Sequence, residues 1–162
     1  MTLMHVRLAH PSEMDDIYMM GYDAWAEGES RADYLNTCSS SPKYARGRWY
    51  VLADSEGRLA ASLITYKLAP DLFGLGSIAT SPALRRQGLA ARLIDGVLHA
   101  MKREGARAVF LYSDIDQQYY AKLGFEPLPD LYQIKRDSVC MVWGVPVREL
   151  TQAPDFTPPS YF

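Results

Sequence analysis

Ile78-Ala79-Thr80-Ser81-Pro82-Ala83-Leu84-Arg85-Arg86-Gln87-Gly88-Leu89-Ala90-Ala91-Arg92-Leu93-Ile94-Asp95-Gly96-Val97-Leu98-His99-Ala100-Met101 reads as the end of a strand, a polar basic turn and a helix. Leu89, Leu93, Ile94, Val97, Leu98 and Met101 recur at the spacing of one buried helix face. The turn ahead of that helix holds Arg85, Arg86, Gln87 and Gly88. The first turn of a helix has N–H groups with no intrahelical acceptor and the positive end of the helix dipole. A glycine there lets a ligand approach the backbone closely. Arginines add fixed charge and forked donors that match phosphate oxygens. The stretch therefore predicts an anion site for a phosphate or pyrophosphate, with a solvated helix start around an ordinary turn glycine as the plain alternative.

Working outward toward the N-terminus, residues 72–80 read as a strand feeding the turn, and residues 59–68 and 48–53 as two more strands joined by the turn Asp54-Ser55-Glu56-Gly57. Gly74-Leu75-Gly76-Ser77-Ile78-Ala79 imitates the dinucleotide fingerprint Gly-x-Gly-x-x-Ala. That fingerprint needs a helix to open within it, and Thr80-Ser81-Pro82 favours extended chain instead. The glycines mark a strand segment that something approaches closely. Residues 22–44 are the least regular part, with a short helix expected from Arg31 that ends before the serines and Pro42. Their aromatic residues either pack on the sheet or line a pocket. Val6 and Leu8 flank Arg7 as a short first strand, and Pro11-Ser12-Glu13 opens a helix.

Toward the C-terminus, Lys102-Arg103-Glu104-Gly105 ends the long helix. Ala108-Val109-Phe110-Leu111-Tyr112 is apolar throughout, the signature of a buried strand. Strand, crossover helix and buried strand make a parallel βαβ unit. Ser113-Asp114 is expected to cap a short helix over 115–123 that Gly124 stops, and residues 138–143 form a late strand with the character of a sheet edge. Pro154, Pro158 and Pro159 mark an extended arm.

The 162 residues are 48% apolar and 22% charged, enough for one globular domain with a sizeable core. A net charge of -2 argues against nucleic-acid binding by overall attraction. Cys38 and Cys140 have no metal-ligand spacing and suit a reducing, cytoplasmic setting. No signal-peptide core and no membrane-length apolar run is present in the sequence.

Arg85-Arg86-Gln87-Gly88-Leu89-Ala90 fits Arg/Gln-x-x-Gly-x-Gly/Ala, and Tyr120-Ala121-Lys122-Leu123-Gly124-Phe125 fits Tyr-x-x-x-Gly-Phe. In this order and spacing the two segments resemble the GNAT (Gcn5-related N-acetyltransferase) superfamily. The resemblance covers most of the chain and is weakest in 22–44 and in the tail. It implies a single α/β (α+β) domain over 1–150, with a central mixed, mostly antiparallel sheet flanked by helices, and a proline-rich tail over 151–162.

The resemblance also implies acetyl-CoA as cosubstrate and no metal. Ile78, Ala79 and Thr80 would bind the pantetheine arm and acetyl carbonyl. The pyrophosphate would sit on the amides of Arg86, Gln87, Gly88, Leu89 and Ala90, with Arg85 and Arg86 adding charge. Tyr120 would protonate the departing thiolate after direct attack by an amine. Many members carry a glutamate on the strand before the turn as general base. Here Leu72-Phe73-Gly74-Leu75-Gly76-Ser77 has no carboxylate, and only Asp71 and Asp114 lie nearby in sequence, with capping the favoured role for Asp114. The acceptor is expected to be a small-molecule amine or a peptide, with no nucleic acid and no membrane, on a monomer or homodimer. The alternatives are a non-catalytic acyl-CoA sensor on the same fold, an enzyme with another acyl donor or acceptor, and an unrelated nucleotide-binding protein built on the Gly74–Ala79 pattern.

Overall fold

The computed structural model describes residues 3–162. Its strands are β1 (Met4–Leu8), β2 (Arg48–Asp54), β3 (Leu59–Ala69), β4 (Leu72–Thr80), β5 (Ala108–Ser113), β6 (Glu126–Pro127) and β7 (Val139–Trp143). They form a mixed sheet in the order β1-β2-β3-β4-β5-β7-β6. The helices are α1 (Met14–Met20), α2 (Tyr22–Trp25), α3 (Arg31–Ser39), α4 (Pro42–Ala45), α5 (Leu89–Arg103), α6 (Gln117–Ala121) and α7 (Val147–Thr151). The backbone gathers into two compact units, one running through Tyr66 and including Ser77–Val97, the other made of Lys67–Gly76 and Leu98–Phe162.

In the first unit, β1 and β2 pair antiparallel with Val6 opposite Leu52. Alternation of side chains then sends Val51 and Ala53 to the other face, where Ile17 of α1 packs on them. On the Val6 face, α5 approaches so closely that a Cβ on Gly96 would lie 2.6 Å from Val6 Cγ2. Helices therefore cover both faces of the β1–β2 pair. The residues expected on the buried stripe of α5 are buried, Leu93, Ile94 and Val97 completely. Pro11–Glu13 forms a 3-10 turn, and the α-helix begins only at Met14. Glu13 links the two: its carboxylate accepts from the His10 N–H at 2.8 Å and is bidentate to Arg7 at 2.8 and 2.9 Å.

One expectation for this unit needs correction. The helix from Arg31 does not stop before the serines but runs to Ser39, because Ser30 caps its start and the residues up to Pro42 keep their N–H groups free to bond. A further short helix, α4, follows with Pro42 at its first position and Ser41 Oγ accepting from Tyr44 N–H at 3.2 Å.

In the second unit, β4 and β5 pair parallel from Leu72–Ala108 to Leu75–Leu111. The Gly74–Ala79 segment is strand with no helix inside it, so the dinucleotide reading fails. β5 pairs antiparallel with β7, placing Phe110 opposite Val142 and Tyr112 opposite Cys140. Ala108, Phe110, Cys140 and Val142 form a core with Leu128, Val145 and Leu150, and Phe156 and Phe162 of the tail pack against it.

The late strand is not an edge: β7 lies between β5 and β6. Beyond the two-residue β6, the side-chain amide of Gln133 replaces a strand, donating to Cys140 O at 3.1 Å and accepting from Cys140 N–H at 2.8 Å. The short helix is Gln117–Ala121 rather than 115–123, and its cap is Asp116, whose carboxylate accepts from Gln118 N–H at 2.9 Å. Asp114 instead accepts a hydrogen bond from the Ser138 hydroxyl. The first-turn amide of Gln118 is taken by Asp116, and the Asp114 carboxylate is engaged by Ser138.

Candidate functional site

The site residues expected from the sequence fall in two groups, one in each unit. In the first unit, β4 ends at Thr80 and a 3-10 turn over Pro82–Leu84 leads to the basic turn. Arg86 and Gly88 both have left-handed backbone, φ +65° and +74°. Arg86, Gln87 and Gly88 are exposed, whereas Leu89 is buried and anchors the start of α5. The Gly88 carbonyl accepts from Arg92 N–H at 3.1 Å, which makes Gly88 the cap and leaves Leu89, Ala90 and Ala91 as first-turn amides without helical acceptors. Left-handed residues in a turn make neighbouring N–H groups converge into a concavity suited to anions. A Cβ at Gly88 would meet nothing within 4 Å, so the turn is open on that side. Ile78, Ala79 and Thr80 are half-buried at the end of β4.

Arg85 has a different role from its neighbour. Its guanidinium binds Asp23 in a fork at 2.6 and 2.9 Å and also donates to Thr80 O and Met20 O, each at 3.2 Å. The hydrogen-bonded carboxylate raises the Arg85 pKa, and the guanidinium lowers that of Asp23. Arg85 thus ties the turn to the α1–α2 region. Among the described residues none pairs with Arg86, whose charge is available to solvent or a ligand.

In the second unit, Tyr120 lies on α6, 8% exposed, with its ring edge-on to Tyr119 at 5.1 Å and to Phe125 at 6.1 Å. The Tyr-x-x-x-Gly-Phe spacing has a local cause: Tyr120 O accepts the N–H groups of Leu123 at 2.9 Å and Phe125 at 3.2 Å, which folds Phe125 back beside Tyr120. Burial, helped by Tyr119 and Asp114, pushes the Tyr120 phenol up to about 12. Among the described residues none hydrogen-bonds the Tyr120 hydroxyl.

Sequence reasoning missed one polar contact of the first unit. The Tyr44 hydroxyl of α4 lies 3.0 Å from Ser77 Oγ of β4. Ser77 has φ +45° and directly precedes Ile78. The aromatic content of 22–44 was the available signal, but nothing local ties Tyr44 to a serine 33 residues away. Cys38 is buried, with burial raising its thiol pKa, as befits an inert core cysteine. Among the described residues no cluster of His, Cys, Asp and Glu is suited to a metal, and no helix is long and apolar enough to cross a membrane.

The model of the acetyltransferase (GNAT) family matches residues 12–125. No curated protein sequence is a significant match. Among solved structures, a GNAT family acetyltransferase from Brucella melitensis in complex with acetyl-CoA is similar at 20% identity, covering 88% of this chain and 90% of that one, with a TM-score of 0.61. The ribosomal-protein-S18-alanine N-acetyltransferase of Escherichia coli is similar at 20% identity, covering 87% and 93%, with a TM-score of 0.64. N-acetylglutamate synthase from Neisseria gonorrhoeae, complexed with coenzyme A and N-acetyl-glutamate, is similar at 19% identity and a TM-score of 0.65 over 87% of this chain, which spans only 35% of that protein. At these identities the structural likeness speaks to the fold.

Proposed function

The chain belongs to the acetyltransferase (GNAT) family, and from that premise we propose that it transfers an acetyl group from acetyl-CoA to a primary amine by direct attack. The observation that carries this reading is the exposed turn with left-handed Arg86 and Gly88 ahead of α5. In this reading the amides of residues 86–90 hold the diphosphate and Arg86 adds the free charge. Arg85 holds the turn in shape through Asp23 and lends charge at longer range.

Ile78, Ala79 and Thr80 receive the pantetheine arm, and a backbone N–H at Ile78 or Ala79 polarises the thioester carbonyl. One such donor supplies about 3 kcal/mol of transition-state stabilisation. The amine nitrogen bonds to the carbonyl carbon, and the C–S bond then breaks. Tyr120 donates its O–H to sulfur as negative charge builds there. A phenol at about 12 stays neutral at working pH and keeps that proton available. Full transfer to a thiolate, whose reference pKa is about 8.5, is uphill for an isolated phenol. The proton lost by the amine nitrogen therefore restores the phenol as CoA leaves as the thiol.

The acceptor is a small-molecule amine or a peptide. The protein relatives point both ways, one named for a ribosomal protein and one bound to N-acetyl-glutamate. The absence of a carboxylate along 72–77 favours a second reading, an acyl-CoA sensor. Thiol release with acetyl-CoA and a panel of amines separates the two. The enzyme releases CoA in step with amine, whereas the sensor is stabilised by acetyl-CoA without turnover. Tyr120→Phe should lower kcat by about 10²-fold while CoA still binds by calorimetry, as expected for loss of a general acid. A native rate in that variant rejects the role given to Tyr120.

A further inference from the structure

The Tyr44–Ser77 pair lies directly before the Ile78–Thr80 segment of β4. Ser77 is a non-glycine residue in left-handed backbone within a strand, φ +45°. That conformation costs about 1–2 kcal/mol and persists only where surrounding contacts hold it. The contact here is polar and specific, Tyr44 hydroxyl to Ser77 Oγ at 3.0 Å.

Tyr44 is itself held on several sides. Its N–H donates to Ser41 Oγ at 3.2 Å. Its ring lies parallel to that of Tyr18 at 6.0 Å and meets Trp49 edge-on at 5.1 Å, and Lys43 Nζ sits 5.9 Å from its centre. Burial raises the pKa of the phenol, which leaves it a neutral hydrogen-bonding partner and not a base. Either hydroxyl can donate in this pair, and in either direction Ser77 Oγ keeps a lone pair that can accept.

Covalent geometry keeps Ser77 Oγ near the Ile78 amide. The two atoms are joined through Cβ, Cα and the carbonyl carbon, a path of four bonds that spans at most about 5 Å. A thioester oxygen bonded to the Ile78 N–H would therefore lie in the neighbourhood of the serine hydroxyl.

We propose that Ser77, fixed by Tyr44, is the residue that accepts a hydrogen bond from the acceptor amine and aims its nitrogen at the thioester carbonyl; the assignment rests on the acetyltransferase reading above. Ser77 touches the substrate, and Tyr44 is a positioning residue that acts through it. No proton is taken by the pair.

The test uses the whole protein, acetyl-CoA, and whichever of L-glutamate, trialanine and spermidine the wild type acetylates fastest. Ser77→Gly removes the hydroxyl and accommodates the left-handed backbone, and Tyr44→Phe removes only the phenolic oxygen. For loss of one neutral hydrogen bond the acceptor KM should rise about tenfold in Ser77→Gly and by about threefold or more in Tyr44→Phe. The KM for acetyl-CoA should stay within about twofold in both, since neither group holds the cosubstrate. The double variant should match Ser77→Gly, because the phenol works through the serine. An unchanged acceptor KM in both single variants, or an acetyl-CoA KM that climbs in step with it, overturns the assignment and leaves the acetyltransferase reading intact. A wild type that binds acetyl-CoA and acetylates none of the three amines overturns both.

Discussion

Gly88 and Arg85 were adjacent parts of one motif in the sequence and are physically different in the structure. Gly88 has φ +74° with open space where a side chain would point. Gly88→Ala therefore meets no steric clash, and its cost is backbone strain of about 1–2 kcal/mol. The strain is relieved by turning the very amides assigned to the diphosphate. The expected result is a KM for acetyl-CoA raised about tenfold, the equivalent of roughly 1.4 kcal/mol, with kcat nearly unchanged, read by steady-state kinetics and by calorimetry with CoA. In Arg85 the guanidinium fork, which suits phosphate, also suits a carboxylate and is bound to Asp23. Glu13 carries a large electrostatic signature of its own. The Arg7 hydrogen bonds, with help from the His10 N–H, lower its carboxyl from 4.5 to about 2 against the opposing effect of burial. A depressed folded-state value means stability that is present above the unfolded value and lost as pH falls through the folded one. The wild type should therefore lose stability between about pH 4.5 and 2 by this group. Glu13→Gln should be less stable at pH 7 and show a flatter melting-temperature profile across that window. An unchanged slope would remove Glu13 from the account of acid stability.

At the scale of elements, α5 shows how a helix can be legible while its neighbours are not. Its apolar spacing was enough to place Leu93, Ile94 and Val97 in the core, where they are fully buried. Nothing in that spacing said that Gly96 meets β1. A methyl at Gly96 gains about 1 kcal/mol of helix propensity, but it would stand 2.6 Å from Val6 Cγ2. Overpacking of this kind costs about 1–3 kcal/mol, so Gly96→Ala should be net destabilising in urea melts, and Val6→Ala made together with it should recover part of the loss. A Gly96→Ala protein as stable as the wild type would mean that α5 and β1 separate freely. The short elements α4, α6 and α7 have the opposite character: four or five residues each give too few turns for a period to register. α4 and α6 open at side-chain caps, Ser41 and Asp116, which is why Asp116 and not Asp114 starts α6.

At the scale of the molecule, the tail is part of the fold. The Tyr112 hydroxyl donates to Pro159 O at 2.6 Å, and the rings of Tyr161 and Phe162 meet Tyr112 edge-on at 5.1 and 5.6 Å. A Cβ on Gly74 would lie 2.5 Å from the Phe162 ring, so the close approach expected over the glycine-rich strand is made by the chain itself. Phe162→Ala should cost about 1–2 kcal/mol of stability, less than a fully buried phenylalanine, and should make Gly74→Ala tolerable where it is damaging in the wild type. A double-mutant cycle without coupling would show that the ring does not rest there in solution. By itself the sequence determined the strands from Arg48 to Thr80, the long helix with its buried face, the basic turn and the family. Each of these is written in neighbouring residues as a period, a turn or a spacing, and backbone geometry acts on neighbours. Only the tertiary structure decided that Arg85 binds Asp23, that Tyr44 holds Ser77 and that Phe162 covers Gly74. Such pairs join side chains far apart along the chain, and a contact of that kind leaves no periodic trace, because it exists only once the backbone has brought both partners to one place.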